Sequence, residues 1–577
     1  MATASGGLIL LFVFLAQGII FIRANSPTYD EPMHLAAGYS YLATRDFRLE
    51  PQNPPFIKAV LALPIFFIYD LPFAADPQQW RDASEFFIGQ DFLYHAALPA
   101  DHMLFLSRLA NLWLGALTVA LVGWWSYRLW GDRAAILGLA LAALEPNLVA
   151  HSSLVTTDVG ATLFIFLSVY LLWEYLGSPR WWFLIGTGMA AGMALVSKFS
   201  AILLLPILAL IVVLCCFFNE KRLHLLPAGG HASLWHGVLE PVAVFFLIVF
   251  FALLMIPPAY LFQGFQPWIS GFYSFLTLAR VGQPAFFLGE HSYLGWWSYF
   301  IVAFLIKTPT GTLLLIFASL LLWRGGTPLK RREAIFLMTP VVFFFVVLSQ
   351  AKVNIGLRHI LPVYPFLFVL ASRLATIRFR SPGMAAALVG GPLALTAVSS
   401  LRIAPHQLAY FNELVGGPDE GYRYLSDSNV DWGQDLKGVK AYMEKENLPI
   451  IYLSYFGTAP PSYYGIRYQY VPGAWPLEWP PPSDTVPADM PRKVLAISVY
   501  NLQDVAFPDD PLFRWLWTRR PIAKIGYSIF VYDLTHDLQG LAELEATYVK
   551  SGTGSIPISR GSAVRPKAED IPVIPAR

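Results

Sequence analysis

The chain predicts a polytopic α-helical membrane protein carrying a C-terminal α/β domain outside the bilayer, and three observations lead there. Of its 577 residues, 56% are hydrophobic and 14% charged, with a mean hydropathy of +0.52, which is more apolar surface than one soluble core can use. The apolar residues recur in runs close to the roughly 20 residues that cross a bilayer. After residue 403 the composition shifts to short strand-like runs between Pro- and Gly-rich turns.

Residues 7–22 form the first apolar run. It is short enough to be mistaken for a signal peptide, but no basic segment precedes it and many apolar runs follow, so it reads as the first span. Residues 23–103 then form a long polar external loop. Within it, Pro55 to Phe67 is apolar, too short to cross, and ends at Tyr69-Asp70-Leu71-Pro72, which suits a helix lying at the interface. Further spans read as 104–127, 134–150, 156–176, 181–197, 200–218, 238–257, 298–323, 335–350, 359–376 and 383–402, about eleven with the first. The sequence Lys307-Thr308-Pro309 is placed to split one of them.

Basic residues set the orientation, because Lys and Arg are retained on the cytoplasmic side. One side holds Arg128, Arg133, Arg180, Lys221, Arg222, Arg324, Lys330 to Arg332, Arg373, Arg378 and Arg380, and the other only Lys198, Arg280, Lys352 and Arg358. The first side is therefore read as cytoplasmic, together with the N-terminus. The 23–103 loop, the 258–297 loop and everything after residue 403 then lie outside.

Three regions follow: a membrane catalytic domain over 1–402, an external α/β domain over 403–550, and a tail over 551–577 whose Ser, Gly and Pro predict disorder. In the external domain, strands are expected at Ile450 to Tyr455, Val494 to Tyr500 and Tyr527 to Tyr532, with a helix near Gln434 to Glu446. A net charge of +2, with its cations scattered over short loops, gives no reason to expect a nucleic-acid partner. The adjacent Cys215 and Cys216 are poorly placed for a disulfide with each other.

The chemistry centres on Tyr29-Asp30-Glu31-Pro32-Met33-His34, two adjacent acids just beyond the first span. Pro32 suits the first turn of a helix, so simple pairing of the acids with the helix dipole is one explanation. Asp158 follows the short outer turn Leu154-Val155-Thr156-Thr157 on the same side, and it too could merely cap a helix. Together, separated acids on one external cavity can hold an acceptor and deprotonate its hydroxyl. Tyr29 and His34 flank the pair and are candidates on the acceptor side.

Cations on the same face complete the pattern. Arg108 lies one turn inside the outer end of a span, where an unpaired guanidinium is costly; it should meet a lipid phosphate or pair with Asp30 or Glu31. Lys58 on the interfacial segment, Lys307, Arg358 and His359 could anchor or snorkel at the interface, or together cradle a phosphate. In the external domain, Ser426 to Asp435 resembles the opening of a calcium loop. Trp432 stands where such a loop needs Gly, and Gly438 where it needs Glu, so a turn and a capped helix are expected. An exposed Trp432 there would suit sugar stacking.

These residues resemble a family. Tyr29 to Tyr39, followed by Asp46-Phe47-Arg48-Leu49-Glu50-Pro51-Gln52-Asn53-Pro54-Pro55-Phe56-Ile57-Lys58, resembles the first external loop of polyprenyl-phosphate-dependent GT-C glycosyltransferases. The nearest branch is the bacterial one similar to protein O-mannosyltransferases, with the aminoarabinose transferases of lipid A as more distant cousins. Leu144 to Asp158, His291-Ser292-Tyr293 and Arg358 to Pro365 resemble later family segments, so the likeness covers about residues 1–400. It implies an enzyme of the plasma (inner) membrane that moves a monosaccharide from a polyprenyl-phosphate carrier to a hydroxyl of a protein, lipid or glycan. In that picture Asp30 is the general base, Glu31 and Asp158 position acceptor and donor, and Arg108 and Lys58 bind the lipid phosphate. No obligatory metal is implied, although a divalent ion could supply part of the positive charge. Asn53 departs from the His that relatives often carry before Pro-Pro, and no β-trefoil is evident outside. A transporter or lipid flippase is the alternative, but no repeated halves with interrupted helices are found.

Overall fold

The computed structural model describes residues 2–69, 71–218, 234–322, 325–474 and 484–551. The expected tail beyond Ser551, and Lys221, Arg222 and Arg324 of the orientation argument, lie outside them.

Each apolar stretch of the sequence falls on helix, but a count of eleven uniform spans is too simple. Among the described residues, six helices are long and apolar enough to cross a membrane: Ser5–Ala24, Ala100–Trp130, Asp158–Gly177, Phe199–Phe217, Leu239–Ala259 and Pro382–Ile403. Two helix pairs are apolar enough only when taken together, and both are bent: Asp132–Ala143 and Pro146–Ser152 meet at 64°, and Tyr299–Lys307 and Thr310–Leu321 at 112°. Proline explains both breaks, since it lacks an N–H and its ring clashes with the preceding turn. Shorter apolar helices at Pro55–Ile68, Trp181–Leu195 and Val363–Thr376 complete the apolar set, beside Arg331–Leu348.

The 23–103 loop folds onto the bundle as helices Glu31–Thr44, Pro55–Ile68 and Glu85–Tyr94. The first two pack backbone to backbone at Gly38, where a Cβ would lie 2.1 Å from the Lys58 carbonyl oxygen. The hairpin of β1 (Ala285–Phe287) and β2 (Glu290–Ser292) stands in the 258–297 loop.

Beyond residue 403 lies a five-stranded mixed sheet of β3 (Ile451–Ser454), β4 (Tyr468–Tyr470), β5 (Val494–Ser498), β6 (Ala523–Ile525) and β7 (Ile529–Asp533). Its order is β4-β3-β5-β7-β6, parallel among β4, β3 and β5 and antiparallel thereafter. Helices Leu436–Lys445 and Leu538–Lys550 accompany it. The sheet region is tied to the bundle by main-chain hydrogen bonds: Ser26 N–H donates to the Gln434 carbonyl and Tyr29 N–H to that of Trp432, both at 2.8 Å. This seam sets the residues before Asp30 against the Trp432 loop.

Candidate active site

Glu31 and Arg108 form a buried scaffold. Arg108 Nε and Nη2 donate to the two carboxylate oxygens of Glu31 at 2.8 and 2.7 Å. Its remaining N–H groups go to the carbonyls of Ile22, Asn25 and Ser26. All five guanidinium donors are thus taken. Arg108 has no N–H left for the lipid phosphate it was expected to bind, and its pairing with Glu31 is the arrangement found. Glu31, fully buried, also accepts from Thr28 N–H and Oγ1 and from Val155 N–H. Burial acts to raise its pKa, but Arg108 outweighs it and holds the carboxyl low. Rather than facing an acceptor, Glu31 fixes the turn that leads to Asp158.

Lys58 is likewise consumed. Its ammonium donates to Tyr41 Oη at 2.8 Å, to the Glu50 carbonyl at 3.0 Å and to Glu50 Oε2 at 3.2 Å. It neither snorkels nor faces an open pocket, because all three N–H groups have partners. Glu50 also pairs with Nδ1 of His34 at 2.8 Å and accepts from Asn53. Burial opposes its charge, yet His34 and Lys58 hold it at about 2. Neighbouring Glu85 has Gln52 as its donor and is pushed up to about 7, first by burial and then by Glu50. The Asn53 that departs from the family pattern thus supports Glu50.

Lys307 ends the helix before the 112° break. Its ammonium donates to the carbonyls of Leu408 and Asn429 at 2.9 and 2.5 Å and lies 4.7 Å from the Phe411 ring centre. It clasps the C-terminal region to the bundle and does not line the small pocket formed by Asp158, Lys198 and Arg358.

The remaining candidates do converge. Arg358 Nη1 donates to Asp30 Oδ2 at 3.0 Å, and its guanidinium carbon lies 4.1 Å from the Trp432 ring centre. Trp432 is 2% exposed, so the expectation of an open sugar-stacking face is corrected: the indole is packed beneath the guanidinium. Asp158 is the first residue of its helix, whose cap position is taken by Thr157, and its carboxylate pairs with Lys198. A small pocket is lined by Asp158, Lys198, Ser200, Arg358 and His359, with Ile165, Phe344 and Pro362 among its apolar walls. At this pocket Nε of Arg358 and Nε2 of His359 are buried without a hydrogen-bond partner among the described residues. An unpaired Nε–H on a buried guanidinium, beside an imidazole nitrogen that donates in one tautomer, is suited to an anion.

Two residues here were absent from the candidates read from the sequence. Lys198 was legible only as a lone cation in a short outer turn. Asp427, expected as a turn residue, adopts a φ of 55° and is pushed up to about 7 by burial, with Arg358 acting against the rise. The helix after it starts without a side-chain cap, because Asp435 accepts from Ser528 instead. Among the described residues no group of three or more His, Cys, Asp or Glu is placed to hold a metal ion.

A multi-pass bundle with a C-terminal sheet region, bearing an acid and clustered cations at one end, fits a membrane glycosyltransferase that works from a lipid-linked sugar donor. Residues 8–269 match the family described as dolichyl-phosphate-mannose-protein mannosyltransferase. The chain is a membrane glycosyltransferase, and nothing favours the transporter alternative. Among solved structures it is similar to ArnT from Cupriavidus metallidurans bound to undecaprenyl phosphate, at 15% identity over 91% of this chain and 97% of that one, TM-score 0.43. The apo form of that protein gives 15% identity over 92% and 98%, TM-score 0.45. An Archaeoglobus fulgidus oligosaccharyltransferase in complex with Zn and sulfate gives 11% identity over 76% and 55%, TM-score 0.37. No curated protein matches the chain.

Proposed function

We propose that this transferase inverts the sugar in a single displacement on the extracytoplasmic face of the plasma membrane, with Asp30 as the base. The acceptor hydroxyl oxygen attacks the anomeric carbon, the bond from that carbon to the phosphate oxygen breaks, and the polyprenyl phosphate departs with the electron pair. Asp30 takes the hydroxyl proton. Lys198, Arg358 and His359 receive the developing negative charge on the phosphate, and Asp158 holds Lys198 toward it. These side chains serve a monophosphate leaving group without a metal ion in this reading. Arg108 and Lys58 act at one remove, by fixing the loop that carries Asp30.

One observation carries the reading: a single guanidinium, that of Arg358, bonds Asp30 through Nη1 while its Nε, at the adjoining pocket, is buried with no partner among the described residues. The test is incubation of the purified protein in detergent with a radiolabelled polyprenyl-phosphate sugar and an acceptor extract. The reading expects labelled product without sealed vesicles. No product in detergent, with label crossing only intact vesicles, overturns it.

A further inference from the structure

A second cavity, of about 230 Å³, lies outside the bundle between Pro284, Ala285, His291 and Tyr293 on one wall and Val505 and Asp509 on the other. Its walls are fixed to each other. His291 Nε2 lies 2.6 Å from the Gln503 carbonyl, and Leu288 N–H donates to that of Tyr424 at 2.9 Å. Asp504 accepts the N–H groups of Leu512 and Phe513 at 2.7 and 3.0 Å, which closes the turn bearing Asp509. Tyr500 lies behind the Val505 wall of this cavity, its carbonyl accepting the Val505 N–H, and begins a row of packed rings that runs toward Asp30. Its ring stacks on Phe456 at 3.8 Å, and Phe456 stacks on Tyr29, the neighbour of Asp30, at 5.3 Å. The Tyr500 phenol is within electrostatic reach of Asp427, Tyr29 and Tyr293, while Val505 shares one buried cluster with Tyr500, Trp432 and Phe456.

We propose that this cavity is the acceptor subsite and that it takes one neutral sugar ring at the end of a glycan or glycolipid; the proposal rests on the transferase reading above. Pro284, Ala285, Val505 and Tyr293 offer surface to the C–H face of a ring, and Asp509, Ser292 and His291 offer hydrogen bonds to hydroxyls. The lining has a carboxylate and neither Lys nor Arg, so it disfavours a phosphate or an acidic sugar. The volume is below the roughly 300 Å³ at which drug-sized sites begin, which fits one ring better than an extended chain. A peptide adding to a sheet edge needs that edge free, but β1 pairs with β2 on one side and bridges from Phe287 to Leu425 on the other.

The experiment uses the full-length protein in nanodiscs with a labelled polyprenyl-phosphate sugar and three acceptor arms. These are a panel of methyl hexosides as free rings, dodecyl hexosides as membrane-held rings, and a Ser/Thr peptide. Asp509→Asn and Tyr293→Leu lie outside the donor pocket and leave hydrolysis of the donor by water unchanged. The proposal expects each to raise the hexoside KM by about tenfold or more, the loss of a hydrogen bond to a charged group or of a stacking face, with donor KM unchanged. The arm used better by the unsubstituted protein, free or membrane-held, identifies the source of the ring. Turnover of the peptide but neither hexoside, or unaltered hexoside KM in both variants, overturns the proposal while leaving the transferase reading intact. No donor turnover in any arm overturns both.

Discussion

Arg358 and Asp30 stand 328 residues apart in sequence and meet through one hydrogen bond of 3.0 Å. The contact joins the acid beyond the first span to the short helix Leu357–Ile360 that precedes a late one. Arg358→Lys keeps a charge but loses the planar donor set that spans Asp30, Trp432 and the pocket. Both Arg358→Lys and Arg358→Ala are expected to lower kcat/KM for the lipid-linked donor, the latter by about 10²–10³-fold. Steady-state kinetics in detergent, with a thermal unfolding control, checks this.

Asp158→Asn and Lys198→Ala are expected to weaken donor use to similar extents, because the aspartate acts through the lysine it holds. The double variant should be little worse than either single one, a non-additivity that a double-mutant cycle measures. Fully additive losses would separate the two residues.

Arg108 belongs to stability. Removing one partner of a buried pair leaves an uncompensated charge, at about 3–5 kcal/mol. Arg108→Ala is therefore expected to lower the unfolding temperature and the yield of folded protein sharply. Any folded fraction should bind donor with unchanged affinity, which titration of donor against that fraction measures.

Glu85 predicts a pH dependence of opposite sign to the usual carboxylate. Its folded pKa of about 7 lies above the ordinary value of 4.5, so between those values the folded state binds more protons than the unfolded one. Stability is then lost as pH rises through that window. Glu85→Gln keeps an oxygen for Gln52 and removes the titration. Its unfolding temperature should exceed that of the unsubstituted protein at pH 8, and the two should converge near pH 4.5. Glu50, held at about 2, acts the other way: its contribution is present above pH 4.5 and fades as pH falls toward 2.

What the sequence revealed depended on the range of the interaction. Spans were legible because apolar length is a local property, and the break at Lys307-Thr308-Pro309 because proline acts on its own turn. Asp30, Glu31 and Asp158 were legible as acids in unusual places. Their different employment was not, because Asp30 and Glu31 share a sequence context but Glu31 turns into the bundle toward Arg108 and Asp30 toward Arg358. Nor could spacing tell a cation available to an anion from one already satisfied. Lys58 and Arg108 are exhausted by Glu50, Glu31 and main-chain carbonyls brought in by tertiary packing, while Lys198, inconspicuous in its turn, reaches the pocket.

The central claim is that Asp30 removes the acceptor proton, and Asp30→Asn tests it most directly. The substitution preserves shape and an acceptor for Arg358 while removing the base, so binding of labelled polyprenyl-phosphate sugar should persist and transfer should fall by about 10²–10⁴-fold. Transfer at the unsubstituted rate by a folded, donor-binding Asp30→Asn protein would contradict the account.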